Sequence, residues 1–152
     1  MYFATVILLL LVLPVVSIVI ESVHGLHGGV TLFFVGKWFV FWAAGVRLFI
    51  AGLRQVTQPG FTAQEIFGIK DRGSFAIVRE LGFANISMGL LSISSFFHPA
   101  WVVPGAVVGG LYYGLAAAGH VFQSHRNAKE NVALYSDIWI FVVLGWFVAR
   151  SL

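Results

Sequence analysis

The chain has 152 residues, of which 59% are hydrophobic and 10% charged, and its mean hydropathy is +0.93. Soluble domains have far fewer apolar and more charged residues, so we predict a single integral membrane domain over residues 1–152. The absence of cysteine excludes disulfides, thiolate metal sites and cysteine nucleophiles. The net charge of +3 does not indicate nucleic-acid binding, because the basic residues are scattered singly between apolar runs.

Five apolar runs are long enough for membrane-spanning helices, since about 20 apolar residues cross a hydrocarbon core. The first run lacks the N-terminal charge and cleavage site of a signal peptide, so we expect it in the mature protein. The predicted fold is therefore an all-α bundle of five transmembrane helices. Their predicted bounds are about 2–21, 30–54, 75–97, 101–122 and 132–151.

The segment between the second and third spans contains a helix-start pattern. Gln58-Pro59-Gly60 breaks the second helix, and Thr62 and Glu65 have the spacing of a capping box. In a capping box, each side chain bonds the other residue's backbone N–H. The pattern predicts a short interfacial helix.

The distribution of lysine and arginine predicts the orientation. The loops after the second and fourth spans are the more basic ones, and the positive-inside rule puts them in the cytoplasm. We therefore predict a protein of the plasma membrane with its N-terminus in the cytoplasm and its C-terminus outside. The basic residues of these loops are Lys70, Arg72, Arg126 and Lys129.

Ionisable residues of four spans fall near one depth, toward the predicted cytoplasmic side, because antiparallel helices bring distant residues to the same level. Arg47 lies seven residues before Arg54, which puts both on one helical face. Within the third span, Glu80, Ser87 and Ser94 repeat every seven residues, which predicts a polar stripe that faces protein. The predicted polar cluster comprises Arg47, Arg54, Glu80, Asn85, Tyr113, His120 and Asp137.

Two interpretations of this cluster remain open. Intramembrane ionisable residues often mark substrate, ion or proton paths, and in that case Glu80→Gln abolishes ligand retention in a folded protein. Alternatively, Arg47 and Arg54 pair with Glu80 and Asp137 as structural latches, and Arg79 extends to the head groups.

The opposite end of the bundle has weaker metal-ligand candidates. Glu21, His24 and His27 lie in a glycine-rich turn, and the topology brings His98 near them. Imidazole and carboxylate are suitable ligands for zinc, iron or copper. Ordinary interfacial polarity explains the pattern equally well, because the spacing matches no defined metal motif.

The fourth span carries small residues at four-residue spacing, from Gly105 to Ala118. Such a stripe lets helices approach closely, either inside the bundle or in a homodimer, and we favour internal packing. Tyr112 and Tyr113 lie beside it, where they line a cavity or simply pack.

Several motifs resemble a family of small bacterial integral membrane proteins of unknown function. These are GVRLFIAGLRQ (45–55), QEIFGI (64–69), RELGFAN (79–85), and AAGH (117–120) followed by a helix with Asp137. More remotely, the last four spans are similar to DoxX-type four-helix membrane proteins, which are described mainly as redox-associated membrane subunits. The first resemblance implies a bacterial plasma-membrane location, and the second implies a four-helix core preceded by an additional helix.

Together these patterns predict binding of a small amphipathic molecule, such as a quinone, an isoprenoid or a phospholipid head group. Arginines would hold its polar end, and the Tyr and Gly faces of the fourth span would admit its tail. Two other functions remain open: an accessory subunit of a larger membrane complex, and a membrane enzyme that uses Glu80, His120 or Asp137 as acid or base.

Overall fold

The computed structural model describes residues 2–24, 29–123 and 126–152. These residues form helices and no strand. Each of the five long helices is long and apolar enough to cross a membrane, which confirms the predicted number of spans and indicates a multi-pass membrane protein. They are α1 (Tyr2–His24), α2 (Leu32–Thr57), α3 (Ser74–Ser94), α4 (Pro99–Val121) and α5 (Ala128–Ser151).

The bundle is built from two tightly packed helix pairs. The most extensive contacts join α2 to α3 and α4 to α5, and α1 packs against α2 and α5. Glycines allow α2 and α3 to approach closely, because a Cβ atom on Gly52 would lie 2.6 Å from the carbonyl oxygen of Gly82. The shared core includes Val40, Ala106 and Leu144, none of which is exposed.

The small residues of α4 face the interior of the bundle. A Cβ atom on Gly109 would lie 2.7 Å from Cβ of Ala44 in α2, and one on Gly114 would lie 2.6 Å from the Phe141 ring in α5. The stripe therefore serves packing between α2, α4 and α5. It has no room for a ligand tail, so the expected entry of a tail along the glycine face of α4 is wrong.

The predicted polar stripe of α3 points the wrong way. Glu80 and Ser87 are exposed, and the Ser87 hydroxyl donates to the carbonyl of Phe83 in its own helix. The face of α3 that packs inward carries Gly82 and Asn85 instead. Close contact with α2 requires glycine on the inner face, and this sets the rotation of α3.

Two of the spanning helices contain π-helical segments. Leu8–Val12 in α1 and Val40–Arg47 in α2 have the wider turn, which disrupts the regular backbone hydrogen bonds. Side chains of other helices reach backbone carbonyls in both segments. Trp139 Nε1 donates to the carbonyl of Leu10 over 3.1 Å, and the Tyr113 hydroxyl donates to that of Ala43 over 2.7 Å.

A short helix of π type, Phe61–Ile66, connects α2 to α3 and is named here the connector helix. The predicted capping box is wrong, because the helix begins two residues earlier than Thr62 as N-cap requires, and its actual N-cap, Gly60, has no side chain to bond the backbone. Thr62 is buried within the first turn, and Glu65 bonds Lys129 of α5. The end of the bundle covered by this helix is called the connector end.

Candidate functional site

A cavity of about 370 Å³ lies at the connector end, bordered by α1, α2 and the connector helix. Sites for small molecules have volumes of roughly 300–1,000 Å³, so this cavity has the size of such a site. Polar groups share its wall with apolar side chains such as Val6, Ile50 and Ile66. The polar lining residues are Tyr2, Thr5, Arg47, Arg54, Gln55 and Thr62.

Arg47 and Arg54 both reach this cavity from α2, in agreement with their seven-residue spacing. Nε of Arg47 is buried and has no hydrogen-bond acceptor among the described residues. Such an unpaired donor is costly in a medium of low dielectric constant. Arg54 stacks on Phe61, with its guanidinium carbon 3.4 Å from the ring centroid. Stacking leaves the N–H edge of a guanidinium available for an anion.

The charge of the cavity wall has one sign. Among the described residues that line it, two are arginines and none is a carboxylate. Asn85 of α3 fixes the side chain of Gln55, because Nδ2 of the buried Asn85 donates to Oε1 of Gln55 over 2.8 Å. The wall therefore offers positively charged and neutral hydrogen-bonding groups, a combination that favours an anion.

A second cluster of polar side chains lies between α4 and α5. His120 Nδ1 is 3.4 Å from Oε1 of Glu130, and His120 Nε2 is 3.9 Å from Oδ2 of Asp137. Glu130 is only 2% exposed, and Phe67 stacks on the imidazole with the ring centroids 6.0 Å apart. We call Glu130, His120 and Asp137 the acid–histidine chain. Its geometry places an imidazole between two carboxylates inside the bundle.

Arg47 connects the cavity with the acid–histidine chain. Its guanidinium and the Asp137 carboxylate form no ion pair within 4.0 Å, but the two charges lie within electrostatic range of each other. The phenol groups of Tyr2, Tyr112 and Tyr113 also lie within electrostatic range of both charges. A single arginine thus lines the cavity and lies within electrostatic range of a mostly buried carboxylate.

The model of DUF6790, a family of unknown function, matches residues 1–151. The chain belongs to the DUF6790 family. No curated protein and no solved structure matches it significantly. The expected membership in a family of unknown function is confirmed, whereas the resemblance to DoxX-type proteins and the bacterial origin stay predictions.

Most of the predicted cluster residues of this DUF6790 protein lie at the connector end. Arg47 and Arg54 line the cavity, His120 and Asp137 belong to the acid–histidine chain, and Asn85 supports Gln55. The Tyr113 hydroxyl is occupied by the Ala43 carbonyl, so this residue has a packing role. Glu80 is exposed on α3 and has no ion pair or hydrogen bond among the described residues. The structure does not bring it to the cluster, and its proposed pairing with an arginine is wrong.

Two residues of the candidate site in this protein were not expected from the sequence. Glu130 lies seven residues before Asp137, so both fall on one face of α5, and this spacing was a usable signal. Gln55 directly follows Arg54 at the end of a span, where polar residues are common, so the sequence does not single it out as a site residue. In the fold Gln55 is buried and accepts a hydrogen bond from Asn85 of α3.

The metal candidates at the opposite end do not form a metal site among the described residues, which contain no group of three suitable ligands. Glu21 accepts hydrogen bonds from Lys37 Nζ over 2.7 Å and from Trp38 Nε1 over 2.5 Å. His24 and His98 are exposed. His27 lies outside the described residues. The ion pair with Lys37 therefore accounts for the presence of a carboxylate at position 21, without a metal.

The connector helix forms one wall of the cavity and is attached to the start of α5. Lys129 Nζ lies 2.5 Å from Oε2 of Glu65, and Asn127 Nδ2 donates to the carbonyl of Ile66 over 3.0 Å. The ammonium group of Lys129 holds the pKa of the Glu65 carboxyl below its ordinary value of 4.5. The ion pair is thus present at neutral pH, and its contribution is lost as the pH falls through the lowered pKa.

We expect Lys129→Ala to loosen the connector helix without unfolding the protein. An exposed ion pair contributes little, so hydrogen exchange of the connector amides should accelerate by only about two- to fivefold at neutral pH. Exchange measured by mass spectrometry checks this. Lys70→Ala is the matched control, because Lys70 is exposed and forms no ion pair among the described residues. Equal exchange in wild type and Lys129→Ala would show that the ion pair does not hold the helix.

Proposed function

We propose that this protein binds the anionic head group of an amphipathic lipid in the cavity at the connector end. The observation that carries the proposal is the unpaired, buried Nε of Arg47 in a wall that, over its described residues, has two arginines and no carboxylate. Phosphate oxygens accept hydrogen bonds from guanidinium groups in a favourable fork geometry. We therefore prefer a phosphate head group to a quinone or an uncharged isoprenoid.

The apolar part of the cavity supports a lipid rather than a free anion. Ile50 lines the cavity and is 45% exposed on the surface of the bundle. An acyl chain can leave the cavity past this residue and enter the surrounding hydrocarbon, while the head group stays beside Arg47 and Arg54. This path replaces the one along the glycine face of α4.

The test measures binding of dioctanoyl phosphatidylglycerol to protein in neutral detergent micelles by native mass spectrometry and calorimetry. We expect a single tight site in wild type and much weaker binding of dioctanoyl phosphatidylcholine. Hydrogen bonds to charged groups contribute about 1.5–3 kcal/mol, so Arg47→Gln should weaken binding by about tenfold to a hundredfold.

Arg79→Gln is the matched control, because it removes the same charge from an exposed residue outside the cavity. This variant should bind like wild type. Equal weakening by both substitutions would reduce the effect to net charge and overturn the proposal. Competition by inorganic phosphate at similar concentrations would assign the site to a free anion instead of a lipid.

A further inference from the structure

Few charged or titratable side chains lie near Asp137 among the described residues. Arg47 is the only one of them, among the described residues, with a permanent positive charge. No arginine or lysine lies within 4.0 Å of the Asp137 carboxylate in the described part of the chain. His120 of α4 lies 3.9 Å from Asp137, and the other charged or titratable groups within electrostatic range of it are Arg47 from α2, Tyr2 from α1, and Tyr112 and Tyr113 from α4.

A lipid anion in the cavity would compete with Asp137 for this one guanidinium. In a medium of low dielectric constant, two anions beside a single cation repel each other strongly. The repulsion disappears if one of them takes up a proton. A phosphodiester keeps its negative charge throughout the neutral range, so the carboxylate of Asp137 is the group that can be neutralised.

The acid–histidine chain lies between Asp137 and the surface, and a proton that follows it needs a water molecule to cross the 3.9 Å between His120 Nε2 and Asp137 Oδ2. An imidazole can receive a proton at one ring nitrogen and release one from the other. His120 Nδ1 faces Glu130, and His120 Nε2 faces Asp137. With its amide oriented to satisfy the hydrogen-bond network, the exposed Gln123 donates to Glu130. The acid–histidine chain therefore extends from the surface near Gln123 to the carboxyl group of Asp137.

We propose that binding of the lipid anion at Arg47 is coupled to uptake of one proton by Asp137 through His120. The inference rests on the proposed function and adds its regulation: the proton comes from bulk water, and no covalent bond of the lipid changes. Binding then becomes tighter as the pH falls. Where Asp137 is ionised in the free protein and protonated in the complex, the affinity changes by up to about tenfold per pH unit.

The experiment measures the affinity of dioctanoyl phosphatidylglycerol across the neutral pH range by calorimetry. Repeating the titration in buffers of different ionisation enthalpy gives the number of protons taken up. We expect close to one proton per lipid in wild type. This count needs no variant, so it does not depend on how well a substituted protein folds.

Asp137→Asn supplies the decisive comparison, since its side chain is uncharged at every pH. We expect it to bind phosphatidylglycerol with wild-type affinity at low pH and with no pH dependence. Binding by wild type without proton uptake would overturn the coupling and leave the proposed function intact. A pH dependence that persists in Asp137→Asn and disappears in His120→Gln would assign the proton to the imidazole and also overturn it. Absence of binding at every pH would overturn the proposed function itself.

Discussion

Gly109→Leu should lower the free energy of unfolding by about 3 kcal/mol or more. A Cβ atom at this position would lie 2.7 Å from Cβ of Ala44 and 3.4 Å from the Leu144 side chain, at the level where α2, α4 and α5 meet. Ala44 and Leu144 are fully buried and cannot move aside without separating the helices. Overpacking of a core costs about 1–3 kcal/mol, and the bulk of leucine puts this change at or above the upper end. SDS titration in mixed micelles measures the free energy of unfolding.

Gly119→Leu is the control on the same helix, because no atom of the described residues lies within 4 Å of a Cβ atom built at this position. Its stability should equal that of wild type. The same pair of variants separates internal packing from a homodimer built on the glycine stripe. A dimer that becomes a stable monomer in Gly109→Leu, with unchanged unfolding free energy, would contradict the internal role.

The number of helices and the pair of arginines could be predicted because both depend on simple regularities. A span needs a certain length of apolar residues, and an α-helix repeats its faces every seven residues. The stretch from Leu48 to Thr57 is regular α-helix, so Arg47 and Arg54 share a face as expected.

The rotation of each helix about its axis could not be predicted, and this explains the errors at Glu80 and Glu130. Glu80 has a suitable depth, but the close approach of Gly82 to α2 turns it outward. The predicted fifth span began at residue 132 and so left Glu130 outside it, yet α5 begins at Ala128 and turns Glu130 inward to His120. Composition alone does not show which neighbour a helix face meets.

The π-helical segment Val40–Arg47 is a further feature without a sequence signal. It changes the direction of the side chains that precede Arg47 relative to those that follow. The Tyr113 hydroxyl stabilises this segment by bonding the Ala43 carbonyl. The orientation of Arg47 toward both the cavity and Asp137 therefore depends on a backbone irregularity, and periodicity arguments that assume a regular helix do not reveal it.

Glu130→Ala should destabilise the protein by about 2–4 kcal/mol, because it removes the acceptor that faces a buried imidazole nitrogen and leaves an empty space beside it. Glu130 is 2% exposed and His120 is 7% exposed, so water does not readily replace the lost carboxylate. SDS titration in mixed micelles again measures the unfolding free energy. The loss should be smaller in a His120→Phe background, since the substituted ring no longer needs an acceptor.

Glu80→Ala is the matched control, because it removes a carboxylate from the early part of another spanning helix where the side chain is exposed. We expect its unfolding free energy to stay within about 0.5 kcal/mol of wild type. Glu80→Gln should likewise retain lipid binding, contrary to the expectation from the sequence. A large loss of stability in Glu80→Ala together with a small one in Glu130→Ala would reverse the assignment of the buried carboxylate. Such a result would require α3 and α5 to be rotated, and with them the whole acid–histidine chain.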